Sequence, residues 1–158
     1  MNKFVATLAG TLLFSVAQAG TLERQLVGQW LSQCKQASGS YMQITSRFTA
    51  DGKYSARSKF YLDPGCTQAM EMEMVSSGNY RLGGQLTAEG GEAAREIDID
   101  VVEMRSGQMQ LPGAGQRITQ IIAIIDGRMV FGDAPGLQSV TAGERPRKLN
   151  KQFYSHKQ

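Results

Sequence analysis

From Trp30 onward the chain alternates apolar and polar residues with a period of two, in short runs separated by turn residues. That is the pattern of half-buried antiparallel strands. Thr21 to Val27 suits one helical turn ahead of them. Trp30 to Lys35 predicts a first strand, broken by Ser38-Gly39-Ser40. Tyr41 to Thr49 predicts a second, with Met42, Ile44 and Phe48 on one face and Gln43, Thr45 and Arg47 on the other. Asp51-Gly52 is a strong hairpin signal. Lys53 to Leu62 follows, with Tyr54, Ala56, Ser58 and Phe60 facing one way. Asp63-Pro64-Gly65 then turns the chain, since proline presets one torsion and glycine permits positive φ.

Met70, Met72 and Met74 alternate with Glu71 and Glu73. Both residue types favour helix, but the i, i+2, i+4 recurrence is strand spacing. Gly78 to Leu82 continues this strand past a bulge, and Gly83 to Gly91 predicts a mobile glycine-rich loop. Glu96 to Met104 alternates again, with Ile97, Ile99 and Val101 set against Asp98 and Asp100. Ser106 to Gly115 predicts a second flexible loop. Arg117 to Ile125 is the most apolar strand, and Asp126-Gly127 turns it into Arg128 to Gly132. A long polar connection leads to a last strand, Lys148 to Tyr154. About eight strands in sequence order predict an all-β fold, an eight-stranded antiparallel up-and-down barrel that leaves no exposed edge. An open sandwich is the alternative. No tandem repeat or second domain is evident.

The N-terminus sets the compartment. Lys3, the apolar run Phe4 to Val16 and the small-residue site Ala17-Gln18-Ala19 occur in the order of a cleaved secretory signal. The apolar run is short for a bilayer span. The expected organisation is a signal peptide at residues 1–19 and one domain at 20–158, periplasmic or secreted, with no transmembrane anchor. In that compartment Cys34 and Cys66, the only cysteines, are expected to pair. Free thiols, or half of a metal site, are the alternatives, and one histidine leaves a zinc site short of ligands.

Charge excludes more than it suggests. Removing Lys3 from a formal net charge of +3 leaves +2, too little to imply nucleic-acid or membrane-surface binding. Catalysis finds little support. His156 is the third residue from the end, on what reads as a frayed tail, so nucleophilic triads lack a base. Asp98 and Asp100 form a candidate carboxylate pair, but outward solvated alternation fits better because Ile97 and Ile99 need the interior. The paired glycines Gly83-Gly84 and Gly90-Gly91 lack the strand–loop–helix setting of a phosphate loop. The expectation is a binding protein, not an enzyme, with no metal or cofactor.

A Gly28-Gln29-Trp30 start to the first strand of a small exported barrel resembles the lipocalin signature. More specifically, "LVGQWLSQCKQ", "TSRFTADGKYSARSKFYLDPGC" and "GNYRL" resemble the domain of the adenomatosis-polyposis-coli-down-regulated family. "RMVFGD" and "ERPRKLN" fit exported single-domain relatives. The resemblance covers roughly the first half of the chain after the signal. It implies a lipocalin-like barrel with a disulfide and an apolar cavity that holds an acyl chain. It also implies that Trp30 closes the barrel floor and that an arginine near the last strand, Arg145 or Arg147, packs across it. In animal members the cavity is associated with antagonism of lipidated signalling proteins. This chain has one such domain and a signal of bacterial character, so that role does not carry over.

The functional expectation is therefore a carrier of a fatty acid or other small apolar ligand inside the barrel. Its lining would come from Met42, Ile44 and Phe48, from Tyr54 and Phe60, from Met70, Met72 and Met74, and from Ile97 and Ile99. Methionine supplies flexible, polarizable surface that adapts to varied apolar ligands. A core filled by these same side chains is the competing reading. The alternative function is a protein partner, as for a periplasmic protease or lysozyme inhibitor acting through a loop or Gly20 to Leu26.

Overall fold

The alternating runs fold as ten strands. The computed structural model describes residues 22–133 and 144–158, so the predicted signal lies outside the described residues. The strands are β1 (Gly28–Ser32), β2 (Lys35–Ala37), β3 (Ser40–Phe48), β4 (Lys53–Tyr61), β5 (Ala69–Thr87), β6 (Ala93–Ser106), β7 (Met109–Gln110), β8 (Arg117–Ile125), β9 (Arg128–Gly132) and β10 (Leu149–Lys157). Eight of them close into an antiparallel up-and-down barrel. The chain runs β3-β4-β5-β6-β8-β9-β10 through successive neighbours, and β1 pairs with both β10 and β3 to complete the ring. Short β2 and β7 are side arms on β3 and β6.

The strand directions define two ends. The floor carries a helical turn at residues 22–26 and the tight turns at 49–52, 88–92 and 126–127. The mouth carries Cys34, the turn after β4, and the connection from β6 to β8. At the floor Trp30 is 1% exposed and donates its indole N–H to the Leu26 carbonyl at 2.8 Å. That bond fastens the helical turn beneath the barrel. Gly28 explains itself here: its φ is +135°, and a Cβ would come within 2.8 Å of the Lys157 side chain.

The cation over the indole is Lys157, 5.5 Å from the ring, because Trp30 pairs directly with Lys157 across β1 and β10. Neither Arg145 nor Arg147 takes that place. Arg145 lies on the outer wall instead. Its guanidinium donates to the Ile97 carbonyl at 3.1 Å, the Gln120 carbonyl at 2.5 Å and the Asp98 carboxylate at 2.7 Å. Arg147 is exposed, and its carbonyl accepts the Glu89 amide.

The barrel has two hydrophobic clusters, one on each side of the same wall. The inner one gathers Leu26, Trp30, Phe48, Ile97, Ile99 and Ile122 with Met129 and Val101. The outer one gathers Ala94, Ile121, Ala123, Val130 and Leu149 with Ala88. Ala123 pairs with Val130, and Ile124 with Met129, so alternate residues of β8 serve opposite clusters. The outer cluster is covered by the 88–92 turn and by the chain at 144–149, which Arg145 staples to β6 and β8. This two-sided burial is why Arg117–Ile125 reads as the most apolar strand.

Several boundaries differ from expectation. The first predicted strand divides into β1 and β2, with Cys34 between them. β5 runs straight through Gly83 and Gly84, where a mobile loop was expected. Arg95 on β6 donates to the Gly83 carbonyl, and the Gly84 amide donates to Glu96, so side chains of β6 hold the glycines where the ladder slips between Leu82 and Gln85. The expected bulge is present at Gly78, where the register shifts. A Cβ there would lie 1.9 Å from the Asp100 carbonyl oxygen. The second predicted loop contains β7. β10 extends to Lys157, so His156 stands in a paired strand opposite Leu31 and Arg128 rather than on a frayed tail.

Cys34 and Cys66 are bonded, with Cα atoms 5.8 Å apart across a sequence separation of 32. The bond ties the β1–β2 junction to the turn after β4 at the mouth. Replacing both cysteines by serine is expected to cost about 2–4 kcal/mol and to leave the barrel folded. Thermal unfolding compared with wild type checks this, and reductant should lower only the wild-type melting temperature. Arg145→Ala should cost about 1–3 kcal/mol by stripping two backbone carbonyls of a donor. Arg145→Lys should not restore the loss, because one ammonium cannot reproduce the planar fork; denaturant titration of the three proteins tests both statements.

Candidate ligand-binding lumen

Register places the side chains that line the interior. One row across the barrel reads Trp30, Ser46, Ala56, Ser76 and Met104 from β1 to β6. The next row toward the mouth contains Ser155, Ser32, Ile44, Ser58 and Met74. The Ile44 amide donates to the Ser32 hydroxyl at 2.8 Å, joining β1 and β3 within that row. Above it, Met42 pairs with Phe60.

The ten expected lining residues separate into two groups. Phe48, Tyr54, Ile97 and Ile99 sit toward the floor. Phe48, Ile97 and Ile99 are buried in the inner cluster, and Tyr54 packs against it. Phe48 lies 5.3 Å from the Tyr54 ring and meets Tyr80 edge-on at 5.1 Å. Met42, Ile44, Phe60, Met70, Met72 and Met74 lie toward the mouth. Met42 and Phe60 are buried; Ile44, Met70 and Met74 are half-buried, and Met72 is 45% exposed. Burial along the interior is therefore mixed: Phe48, Ile97, Ile99, Met42 and Phe60 are covered, and Ile44, Met70, Met74 and Tyr54 are partly exposed.

Sequence reasoning missed the serines. Ser32, Ser46, Ser58, Ser76 and Ser155 all share rows with the lining residues, and Ala56 joins them. Their parity was legible, since Ser58 falls between Tyr54 and Phe60, but attention went to the large apolar residues alone. Short side chains on β1, β3, β4, β5 and β10 face long ones on β6, β8 and β9, namely Ile99, Ile118, Ile122 and Met129. An eight-stranded interior is just wide enough for side chains to fill, or for one small ligand; serines leave the space that isoleucines would take. The hydroxyls also make that wall amphipathic. Tyr54 hydrogen-bonds Ser76, while burial pushes its phenol above the ordinary value.

The mouth is built around Asp63. Its carboxylate accepts the amides of Gln68 at 2.7 Å, Thr67 at 2.9 Å and Gly65 at 3.1 Å. These bonds, the Gln68 amide foremost, hold its pKa below the ordinary value. Among the described residues, three of the four exposed large apolar side chains, Leu62, Met72 and Met109, lie at this end. Asp98 and Asp100 face outward to Arg145, and to Arg117 and Arg81, so the carboxylate pair is part of ion pairing on the wall. His156 is exposed on the outer face of β10, its ring 5.0 Å from Tyr154. Two open clefts, 470 and 310 Å³, flank the helical turn at the floor; neither is lined by the ten expected residues. Among the described residues no group of histidine, cysteine, aspartate and glutamate could hold a metal, and no helix is long and apolar enough to cross a membrane.

No protein-family model matches the chain, and a comparison with curated proteins found no significant match.

The depressed carboxylates set the acid response. Asp63, Asp100 and Glu92 all have lowered pKa values, the last two chiefly from hydrogen bonds with Arg117 and Lys151. Each favours the folded state above its unfolded pKa and loses that contribution as pH falls through the lower folded value. Melting temperature is therefore expected to hold down to about pH 4 and to fall below it. Asp63→Asn should flatten part of that fall, measured by thermal scans from pH 6 to 2.

Proposed function

We propose that this protein is an exported lipocalin-like carrier that takes a fatty acid or similar small apolar ligand into the mouth half of its barrel. The reading is that of a single-domain relative of the adenomatosis-polyposis-coli-down-regulated family. The observation that carries it is the contrast along the interior. Ile44, Ser58, Met74 and Ser76 point inward on β3, β4 and β5 and are only half-buried, whereas Phe48, Ile97 and Ile99 deeper in the interior are buried.

Binding follows from the lining. Met42, Ile44, Phe60 and Met74 supply apolar contact at about 25 cal/mol per Å² of buried apolar surface, before association costs are subtracted. The serine rows accept or donate a hydrogen bond to a polar group carried on the ligand. Leu62, Met72 and Met109 give the entrance an apolar lip. The inner floor, fixed by Trp30 and the helical turn, limits how deep a chain enters. Nothing in this scheme needs general acid–base chemistry, and His156 lies outside the lumen, so the role is binding rather than catalysis.

Native mass spectrometry of the purified protein, then titration with a fluorescent fatty acid, tests the proposal. One ligand per barrel is expected. Ser58→Leu fills the serine wall and should weaken uptake at least tenfold while leaving the melting temperature equal or higher. An absence of saturable uptake by wild type would sink the lipid reading, and a stoichiometric protein partner recovered with an empty barrel would replace it with the inhibitor role.

A further inference from the structure

The methionines at the mouth form a donor set that apolar binding alone does not use. Ser76 pairs with Met104, and Met74 stands two residues before Ser76 on the same face. Met74 and Met104 are therefore diagonal cross-strand neighbours, with Cα atoms roughly 7–8 Å apart. Ser106, two residues beyond Met104, pairs with Met109, which puts Met109 on that face as well. Met72 lies about 7 Å back along β5, where the ladder against β4 slips. Met104 rests its sulfur against Gly113; since methionine carries sulfur on three rotatable bonds, side-chain rotation at these Cα spacings suffices to bring the thioethers together.

Access and competition favour the same conclusion. Met72 is 45% and Met109 64% exposed, and Met74 and Met104 are half-buried, so the sulfurs are reached from the mouth. Both cysteines are locked in the disulfide, and the single histidine lies on the outer face of β10 near the floor. Thioether sulfur is a soft donor that selects Cu(I) over harder ions. Glu71 and Glu73 alternate with the methionines and so project to the opposite face, where Glu73 pairs with Arg57 at 3.8 Å, which leaves the thioethers as the donor set. We propose that the mouth of this barrel binds one soft monovalent cation, Cu(I) or its redox-inert counterpart Ag(I), through Met72, Met74 and Met104, with Met109 adjoining them. The inference is independent of the lipid reading.

Ag(I) titration of the intact protein, followed by native mass spectrometry and by NMR of the methionine methyl groups, tests it. One Ag(I) per chain is expected, with methyl shifts at Met72, Met74 and Met104 and none at Met129 on the floor. Cu(I) held by a chromophoric chelator should transfer to the protein in the same ratio. Met72→Leu with Met74→Leu keeps side-chain volume and the fold, and should lower the affinity at least tenfold, whereas Met129→Leu should not change it. Failure to take up Ag(I) in a one-to-one ratio, or uptake unchanged in the double variant, would overturn the site. Fatty-acid titration of the metal-free protein is scored separately, so either reading can fail without the other.

Discussion

Closure of the ring depends on β1, a strand of five residues. It is the only described strand bonded on one side to the end of the chain and on the other to β3. Everything that makes the interior an interior follows from those few pairs. Trp30 sits at their centre, facing inward between Lys157 and Ser46. Its bulk fills the floor, its N–H anchors the helical turn, and its ring faces the Lys157 side chain. Gly28 allows the backbone to enter the strand where that lysine already occupies the space. A short strand can close a barrel because the side chain it contributes does several jobs at once, and the cost of ordering it is shared among them.

Much of this was legible in the chain. Period-two alternation located nearly every barrel strand, because an antiparallel wall with one buried face writes its register directly into the sequence. β8 and β9 fell where the turn Asp126-Gly127 placed them. The disulfide was legible from compartment and cysteine count. What was not legible required knowing what covers the outside. Ile121 and Ile122 look alike in sequence, but one packs beneath the 144–149 chain and the other against Trp30. Arg145 or Arg147 was expected at the indole because the lipocalin resemblance implies an arginine there. The pairing of β10 with β1 decides the matter, since it brings Lys157, not Arg145, to that row.

The glycine-rich stretch after Leu82 misled for a related reason. Glycine usually weakens a strand, and Gly83-Gly84 read as a break. Here the partner strand supplies Arg95 and Glu96, whose side chains bond the glycine backbone, and the ladder resumes at Gln85. His156 was misplaced by the opposite error: a terminal residue was assumed to fray, but the Gln158 amide still bonds Gln29. In both cases long-range pairing overrode a sound local rule. The candidate site was half visible. The methionines and aromatics were found by size, while the serines were passed over because small polar residues on an inward face are informative only once the face opposite them is known.

That opposition between walls also decides where the barrel draws its stability. A side of the barrel lined by Ser32, Ser46, Ala56, Ser58 and Ser76 gives up packing that a filled core would have. The loss is offset elsewhere in the same structure rather than along the same strands. β6, β8 and β9 bury apolar residues on both faces, the indole and the helical turn pack the floor, and the mouth is braced by the disulfide and the Asp63 turn. Stability is concentrated where the ring is closed and double-sided, which leaves the serine wall free to remain short. Short inward side chains are tolerated on one wall because the contacts that close the ring lie mainly in the floor, the double-sided strands and the disulfide-braced mouth.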